Sequence, residues 1–255
     1  MTQVYFIGAG PGDPELITVK GQNIIQKADL VLYAGSLVPK SLTEKAKPGA
    51  EVIDSAPLNL EQTHDLILKA VQNKGLVARV HTGDPSLYGA VREQIRLLKQ
   101  EGISYQIIPG VTAAFAAASK AAVSFTVPEK TQTLTITRLE GRTPVPEGEK
   151  LASLAGHQNA MAIYLSAAHA PRMVEELTQG GFAPHTTIVI AHKVGWPGEK
   201  IFTTRLDEVC SVVEREGLNR QTVFLVLPGQ ESETYSKLYD PDFAHGFRQT
   251  EGEKA

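Results

Sequence analysis

Residues 4–14 read VYFIGAGPGDP, an apolar run of strand length that ends in a loop with three glycines. A buried strand followed at once by a glycine-rich turn is typical of the first βα unit of an open α/β sheet. Up to about residue 120, strand-length apolar runs continue to alternate with segments of helical periodicity. We therefore predict an α/β fold whose first domain is built on a mostly parallel sheet.

The same alternation predicts the individual elements. First-half strands are predicted at 4–7, 30–33, 51–53, 76–80 and 105–108, with helices at 16–27, 41–47, 60–71, 87–99 and 111–120. Second-half strands are predicted at 131–137, 160–165, 187–191, 200–203 and 223–227, with helices at 171–178 and 206–215. The pattern changes after residue 123 and places a domain boundary near Pro128. The predicted organisation is an α/β domain at 1–128, a smaller α/β domain with some antiparallel character at 129–233 and a polar tail at 234–255.

The composition excludes several classes of function. The chain has 255 residues and a net charge of −3, so we expect no surface that coats nucleic acid. Its single cysteine, Cys210, cannot close an intrachain disulfide. The longest nearly apolar stretch, residues 113–125, is shorter than the ~20 residues that cross a membrane. Because the strand pattern leaves no room for a signal peptide, we expect a cytoplasmic protein without a membrane partner.

Three loops of unusual sequence follow predicted parallel strands. They are GAGPGDP at residues 8–14, HTGDP at residues 81–85 and PGVTA at residues 109–113. Glycines at such turns also serve steric needs, so no single loop is decisive. Since ligands of open α/β sheets bind at the carboxyl ends of the strands, we expect the three loops to form one site.

The first of these loops fits neither a dinucleotide nor a triphosphate. The dinucleotide fingerprint needs a third glycine where this chain has Asp13, and Pro11 removes an amide donor. The acidic ribose partner should close the second strand, but Asp29 precedes that strand. No glycine of the chain is followed by lysine, which excludes a Walker P-loop. A nicotinamide oxidoreductase is therefore the disfavoured alternative.

Two aspartates, Asp13 and Asp84, each stand between a glycine and a proline at the start of a predicted helix. An aspartate N-cap followed by proline is a sufficient structural interpretation, and we adopt it for Asp13. Asp84 lies between the other two loops, where a carboxylate would repel phosphate but suit a ribose or a sulfonium. No metal-ligand cluster, serine-hydrolase motif or catalytic side chain is identified.

Taken together, the three loops resemble the ordered motifs of the tetrapyrrole methyltransferases, which use S-adenosylmethionine. The resemblance rests on residues 4–21, on Gly83-Asp84-Pro85 with Gly89, and on residues 109–113. Residues 32–39 (LYAGSLVP) and 192–197 (HKVGWP) resemble the branch that methylates precorrin-4 or cobalt-precorrin-4 at C11 in cobalamin biosynthesis. Two alternatives stay open: another tetrapyrrole methylation, as of uroporphyrinogen III or precorrin-3, and a nucleotide-sensing module without chemistry.

The resemblance also implies an architecture and a set of contacts. It implies two αβα domains with a cofactor cleft between them, a homodimer, a tetrapyrrole substrate and S-adenosylmethionine as the methyl donor. The residues implied to contact the donor are Pro11, Thr82, Gly83, Asp84, Leu87, Thr112, Ala113, Leu165 and Val194. The substrate's carboxylates need basic partners, and the candidates are Arg79, Arg92, Lys120 and Lys193, although solvated surface is the more usual role of each. The group that accepts the proton in C-methylation is not identified.

Overall fold

Two compact units make up the chain in this structure, a computed structural model that describes residues 3–240, 242–244, 246 and 248. The first unit comprises Met1–Ala117 with Ala191–Lys200, and the second comprises Ala118–Ile190 with Ile201–Ala255. The predicted limits of 1–128 and 129–233 differ from these units at residues 118–128 and at residues 191–200. Residues 118–128 belong to the second unit, where the Gln230 side chain donates to the Ser124 carbonyl at 3.3 Å. The predicted tail at 234–255 extends beyond the described residues.

The first unit is built on a five-stranded sheet. Its strands are β1 (Val4–Gly8), β2 (Leu30–Tyr33), β3 (Glu51–Asp54), β4 (Val77–His81) and β5 (Tyr105–Ile108). Their order is β3-β2-β4-β1-β5, and every neighbouring pair is parallel, as predicted. The helices are α1 (Val19–Ile25), α2 (Lys40–Thr43), α3 (Leu60–Gln72), α4 (Val91–Gln100) and α5 (Ala113–Lys120), the last of which ends in the second unit.

Both faces of the parallel sheet are buried, which explains the continuous apolar runs of its central strands. Alternate side chains point to opposite faces. Ile7 and Val31 pack on one side in a cluster with Ile25, whereas Phe6 packs on the other side in a cluster with Leu98. None of the helices in the described part of the chain is long and apolar enough to cross a membrane.

The second unit contains a mixed sheet. Its strands are β6 (Leu134–Arg138), β7 (Ala160–Tyr164), β8 (Thr187–His192), β9 (Lys200–Arg205) and β10 (Thr222–Leu227), in the order β6-β7-β10-β8-β9. The end of β8 and the first residue of β9 fall in the segment Ala191–Lys200 that belongs to the first unit. β6 is parallel to β7, and β10 is antiparallel to it, in agreement with the antiparallel character predicted for this half. The helices are α6 (Leu151–Ala155), α7 (Ala170–Gln179) and α8 (Val209–Glu216). The sequence pattern does not predict α6, because five residues are too few to show helical periodicity.

The predicted helix at 87–99 is wrong at its start, because α4 begins only at Val91. Tyr88 and Ala90, which both precede this helix, have the left-handed φ values of 54° and 46°. Between them, a Cβ on Gly89 would lie 2.3 Å from the Pro85 carbonyl oxygen. The chain thus folds back tightly on Pro85 before the helix can begin, and residues 82–90 form a loop.

Candidate functional site

Three loops meet at the carboxyl edge of the parallel sheet, as the sequence predicts. The first loop (residues 8–14) follows β1, the second loop (82–90) follows β4, and the third loop (109–113) follows β5. β1 lies between β4 and β5, so the loops are neighbours. The chain leaves β1 toward β2 on one side and leaves β4 toward β5 on the other. The first and second loops therefore flank the topological switch point, where open α/β sheets bind ligands.

The backbones of the three loops pack directly against each other. The Gly83 N–H donates to the Gly10 carbonyl at 2.8 Å, and the Gly10 N–H donates to the Gly83 carbonyl at 3.3 Å. A Cβ on Gly8 would lie 2.6 Å from the Gly110 Cα, so glycine is required at this crossing. On Gly83 (φ +59°), by contrast, a Cβ would meet nothing nearer than the Thr112 Cα at 3.8 Å. The second loop therefore presents bare backbone to an open space beside the third loop.

The Asp84 carboxylate joins the second loop to the third. Its Oδ2 accepts the Gly110 N–H at 2.9 Å, and its Oδ1 accepts the Ser86 N–H at 2.8 Å. The N-cap interpretation of Asp84 is wrong, because the N-cap of α4 is Ala90. Since each carboxylate oxygen has more than one lone pair, Asp84 can still accept a hydrogen bond from a ligand.

Asp13 and Asp29 have structural roles. The Asp13 side chain accepts the Glu15 N–H at 2.9 Å at the start of a short 3-10 turn, which confirms its predicted capping role. Asp29 accepts the Leu76 N–H at 2.7 Å, and its hydrogen bond with the Lys47 ammonium lowers the pKa of the Asp29 carboxyl. Asp29 therefore fixes the start of a strand and is not placed as a ribose partner, which disfavours a dinucleotide site further.

The segment Ala191–Lys200 belongs to the first unit and packs on the first loop. The indole Nε1 of Trp196 donates to the Pro11 carbonyl at 2.9 Å. A Cβ on Gly12 would lie 2.2 Å from the indole Cδ1 and 2.7 Å from the Val194 carbonyl oxygen. Sequence reasoning assigned a role to Val194 but missed Gly12 and Trp196. The signal was available in part, because the only tryptophan of the chain stands in a Gly-Trp-Pro-Gly run.

A buried polar network lies beneath the second loop. Arg79 is 8% exposed, and burial lowers its pKa to about 10, so that it stays charged at pH 7. Its guanidinium donates to the Gln94 side chain at 3.1 Å, to the Ser55 hydroxyl at 2.8 Å and to the Leu32 carbonyl at 3.2 Å. The solvated-surface interpretation of Arg79 is therefore wrong, and its burial also prevents direct contact with a carboxylate of the substrate.

His81 lies two residues further along the same face of β4 and is 3% exposed. Burial and the nearby charge of Arg79 lower the pKa of His81 to about 3, so the ring is neutral at pH 7. The ring hydrogen-bonds to the Gly89 backbone, whereas its Nε2 has no hydrogen-bond partner among the described residues. The histidine thus holds the second loop from below, at the turn before α4.

The second unit contributes one predicted donor contact, Leu165, directly after β7. Leu165 is 70% exposed and has the left-handed φ value of 53°, which is unfavourable for a residue with a Cβ. The next residue, Ser166, is fully buried and fixes this turn: its hydroxyl donates to the Tyr164 carbonyl at 2.7 Å and accepts the Leu139 N–H at 2.9 Å. Strained backbone that is held this firmly is common at functional sites.

The remaining predicted contacts lie in the first unit. They are Pro11, Thr82, Gly83, Asp84, Leu87, Thr112, Ala113 and Val194, on the three loops and on the segment 191–200. Of the other basic candidates, Arg92 and Lys120 are exposed and Lys193 is partly buried.

A parallel sheet with three interlocked glycine-containing loops at its switch point places the chain in the class of open α/β folds, whose members bind their ligands at the carboxyl ends of the strands. Comparison with known families identifies the chain within this class. The model of the tetrapyrrole (corrin/porphyrin) methylases matches residues 3–210. The chain belongs to that family, which confirms the resemblance of the three loops.

Two relatives match almost the full chain. Cobalt-precorrin-4 C(11)-methyltransferase of Priestia megaterium is 46% identical, over 96% of this chain and 97% of its own length. Precorrin-4 C(11)-methyltransferase of Pseudomonas aeruginosa is 44% identical, over 96% of this chain and 98% of its own length. This chain is thus similar to a methyltransferase named for the cobalt-containing substrate and to one that is not.

Two solved structures share the fold. A cobalt precorrin-4 methyltransferase, described as a cobalamin biosynthetic enzyme, has a TM-score of 0.86 and 46% identity and covers 88% of this chain and 94% of its own. Uroporphyrin-III C-methyltransferase of Thermus thermophilus, complexed with S-adenosylhomocysteine, has a TM-score of 0.72 and 25% identity and covers 88% and 92%. The predicted α/β fold with two sheets is confirmed.

Proposed function

We propose that the protein transfers a methyl group from S-adenosylmethionine to C11 of precorrin-4 or cobalt-precorrin-4 in cobalamin biosynthesis. The observation that carries the proposal is the near full-length similarity to cobalt-precorrin-4 C(11)-methyltransferase of Priestia megaterium. The relative from Pseudomonas aeruginosa is almost as similar, so the proposal includes both forms of the substrate.

We propose that the methyl donor binds at the three loops of the first unit and also contacts Leu165. Its proposed contacts are Pro11, Thr82, Gly83, Asp84, Leu87, Thr112, Ala113, Leu165 and Val194. The residues fit such a ligand, since Gly83 leaves open space in front of its backbone and a carboxylate stands beside it. A carboxylate at this place disfavours a phosphate and favours hydroxyl donors or positive charge. The complex of the Thermus relative with S-adenosylhomocysteine supports the assignment.

When bound, S-adenosylmethionine supplies an electrophilic methyl group, and the transfer disperses the positive charge of its sulfonium. Such a transfer needs alignment and exclusion of water more than it needs a nucleophilic side chain. This chain supplies a rigid frame for the alignment. Asp84 ties the second loop to Gly110 of the third, and Trp196 holds the first loop through the Pro11 carbonyl.

One assay tests donor, acceptor and ring position together. The purified protein is incubated with S-adenosylmethionine that carries a 13C-labelled methyl group and, separately, with precorrin-4, cobalt-precorrin-4 and uroporphyrinogen III. We expect one added methyl by mass spectrometry and a labelled methyl on C11 by NMR, for one or both of the precorrin-4 forms. Methylation of uroporphyrinogen III alone, or S-adenosylhomocysteine binding without turnover on any tetrapyrrole, contradicts the proposal.

We also propose that the protein is a homodimer, which rests on the family to which the chain belongs. Sedimentation-equilibrium measurements at micromolar concentration test this, with an expected mass of about twice the 27.5 kDa of one chain. A species that stays at the mass of one chain over the whole concentration range contradicts it.

A further inference from the structure

The end of the second loop is held by a side chain from the helix that follows it. The Gln94 amide, in the first turn of α4, donates from Nε2 to the Ala90 carbonyl at 3.1 Å. Its Oε1 accepts the Arg79 guanidinium at 3.1 Å. Gln94 is 7% exposed, so both bonds are made out of contact with bulk water.

The orientation of the Gln94 amide is fixed by the chemistry of its partners. Arginine only donates hydrogen bonds, so it must face the amide oxygen, and a carbonyl only accepts, so it must face the amide nitrogen. A carboxylate in the same place could not satisfy both partners, because it accepts hydrogen bonds but cannot donate one to the Ala90 carbonyl. Gln94 therefore connects the Arg79 network beneath the sheet edge to the loop backbone, and a flipped amide would lose both bonds.

The loop segment that Gln94 holds needs external support. Tyr88 and Ala90 both have left-handed φ values, a conformation that is costly for residues with a Cβ. The N-cap residue of α4, Ala90, has no side chain that could cap the helix. Such a turn persists only where its surroundings fix it, and Gln94 at Ala90 and His81 at Gly89 are two of the groups that do so.

We propose that Gln94 is a positioning residue, which holds the Tyr88–Ala90 turn in place and thereby sets the affinity of the second loop for the methyl donor. The link to the donor rests on the proposed function, because Thr82, Gly83, Asp84 and Leu87 are the proposed contacts of this loop. The role in holding the turn depends only on the geometry of the apo protein.

The test uses Gln94→Glu in the full-length protein. A carboxylate at this position still accepts from Arg79 and adds an opposite charge to that buried group, but it cannot donate to the Ala90 carbonyl. The fold is therefore kept while the bond to the loop is removed. Gln100→Glu, which makes the same chemical change at an exposed position of α4, is the matched control.

Two measurements follow, after equal melting temperatures within a few degrees have shown that both variants fold. Hydrogen exchange of the apo protein is expected to be about 2- to 10-fold faster at residues 86–91 in Gln94→Glu, the equilibrium change that one net hydrogen bond corresponds to. S-adenosylhomocysteine affinity should fall by a similar factor, and KM for S-adenosylmethionine should rise while kcat at saturating donor is kept. Gln100→Glu should match the wild type in each.

The outcomes separate the two proposals. Unchanged exchange at residues 86–91 in a folded Gln94→Glu protein overturns the positioning role, whatever its affinity is. Faster exchange with wild-type affinity overturns the link between the turn and the donor. If the wild type itself binds no S-adenosylhomocysteine, the proposed function fails, and the exchange measurement alone then decides whether Gln94 holds the turn.

Discussion

The two sheets have the same number of strands but differ in what they place at their edges. In the parallel sheet every strand ends at one edge, so the loops after β1, β4 and β5 meet there and lock through Gly8, Gly83 and Gly110. In the mixed sheet the antiparallel neighbours β7 and β10 end at opposite edges. Only the turn at Leu165 carries a predicted donor contact in that unit. A parallel sheet therefore brings several loops together at one edge, and loops that lie this close need glycines where their backbones touch.

The largest effect is expected where this packing is tightest. A Cβ on Gly110 would lie 2.1 Å from the Gly83 carbonyl oxygen and 2.7 Å from the Gly8 Cα, both of which are backbone atoms. Gly110→Ala should lower the free energy of unfolding by about 3 kcal/mol, the upper part of the range for overpacking, and should abolish S-adenosylhomocysteine binding. Chemical denaturation and calorimetry measure the two effects.

The mixed-sheet unit supplies the control for that substitution. A Cβ on Gly141 would meet no atom within 4 Å, so Gly141→Ala should change the free energy of unfolding by less than about 0.5 kcal/mol. If the two alanine substitutions cost the same, the parallel sheet edge is not packed as described.

The second prediction compares two aspartates in the same sequence context. Asp84→Asn can keep only one of its two backbone N–H partners, Gly110 or Ser86, because an amide has one acceptor oxygen. The free energy of unfolding should fall by about 2 kcal/mol, the contribution of a hydrogen bond to a charged group, and S-adenosylhomocysteine affinity should fall with it. Asp13→Asn should be close to neutral, because asparagine caps as well as aspartate. Equal costs for the two would contradict the role of Asp84 in joining the second loop to the third.

The third prediction concerns pH. The folded pKa of His81, about 3, lies below the ordinary value of 6.5, so below pH 6.5 the unfolded chain binds a proton that the folded protein does not. The free energy of unfolding should therefore fall as the pH is lowered, by roughly 1.5 kcal/mol between about pH 6.5 and about pH 5. His81→Gln should flatten this slope. His157→Gln, at an exposed position of the second unit, should retain the slope, and denaturant titrations across this pH range distinguish the two.

The smallest effect is expected for Trp196→Phe. This substitution keeps an aromatic ring beside Gly12 but removes the hydrogen bond to the Pro11 carbonyl. The expected loss is about 1 kcal/mol of the free energy of unfolding, the net contribution of a typical hydrogen bond. Tyr235→Phe, at a side chain that is 85% exposed in the second unit, should leave the melting temperature unchanged. A Trp196→Phe protein as stable as the wild type would contradict the role given to the indole.

The convergence of the three loops could be predicted from the sequence, because the carboxyl ends of parallel strands must share an edge. The hydrogen bonds that hold the loops together could not be predicted in this way. The Asp84 bond to Gly110 spans 26 positions, and the Trp196 bond to Pro11 spans 185. Local patterns report propensities and caps, as at Asp13, but they do not say which distant backbone group a side chain will meet.

The burial of Arg79 could not be predicted from the sequence either. It stands in the strand sequence VARVH at residues 77–81, where a charged side chain suggests a surface position. Its burial depends on Gln94, Ser55 and the Leu32 carbonyl, which come from three other parts of the fold. Periodicity alone therefore misplaces a charge whose partners are assembled only by the tertiary structure.

The contact between the indole and the first loop also gives the protein a built-in optical signal. Trp196 is the only tryptophan of the chain, so excitation near the red edge of protein absorbance isolates this one ring. The ring lies against Gly12 and donates a hydrogen bond to the carbonyl of Pro11, one of the proposed donor contacts. Its emission wavelength and anisotropy therefore report on the contact between the segment 191–200 and the glycine-rich loop, without a label and without a background from other indoles.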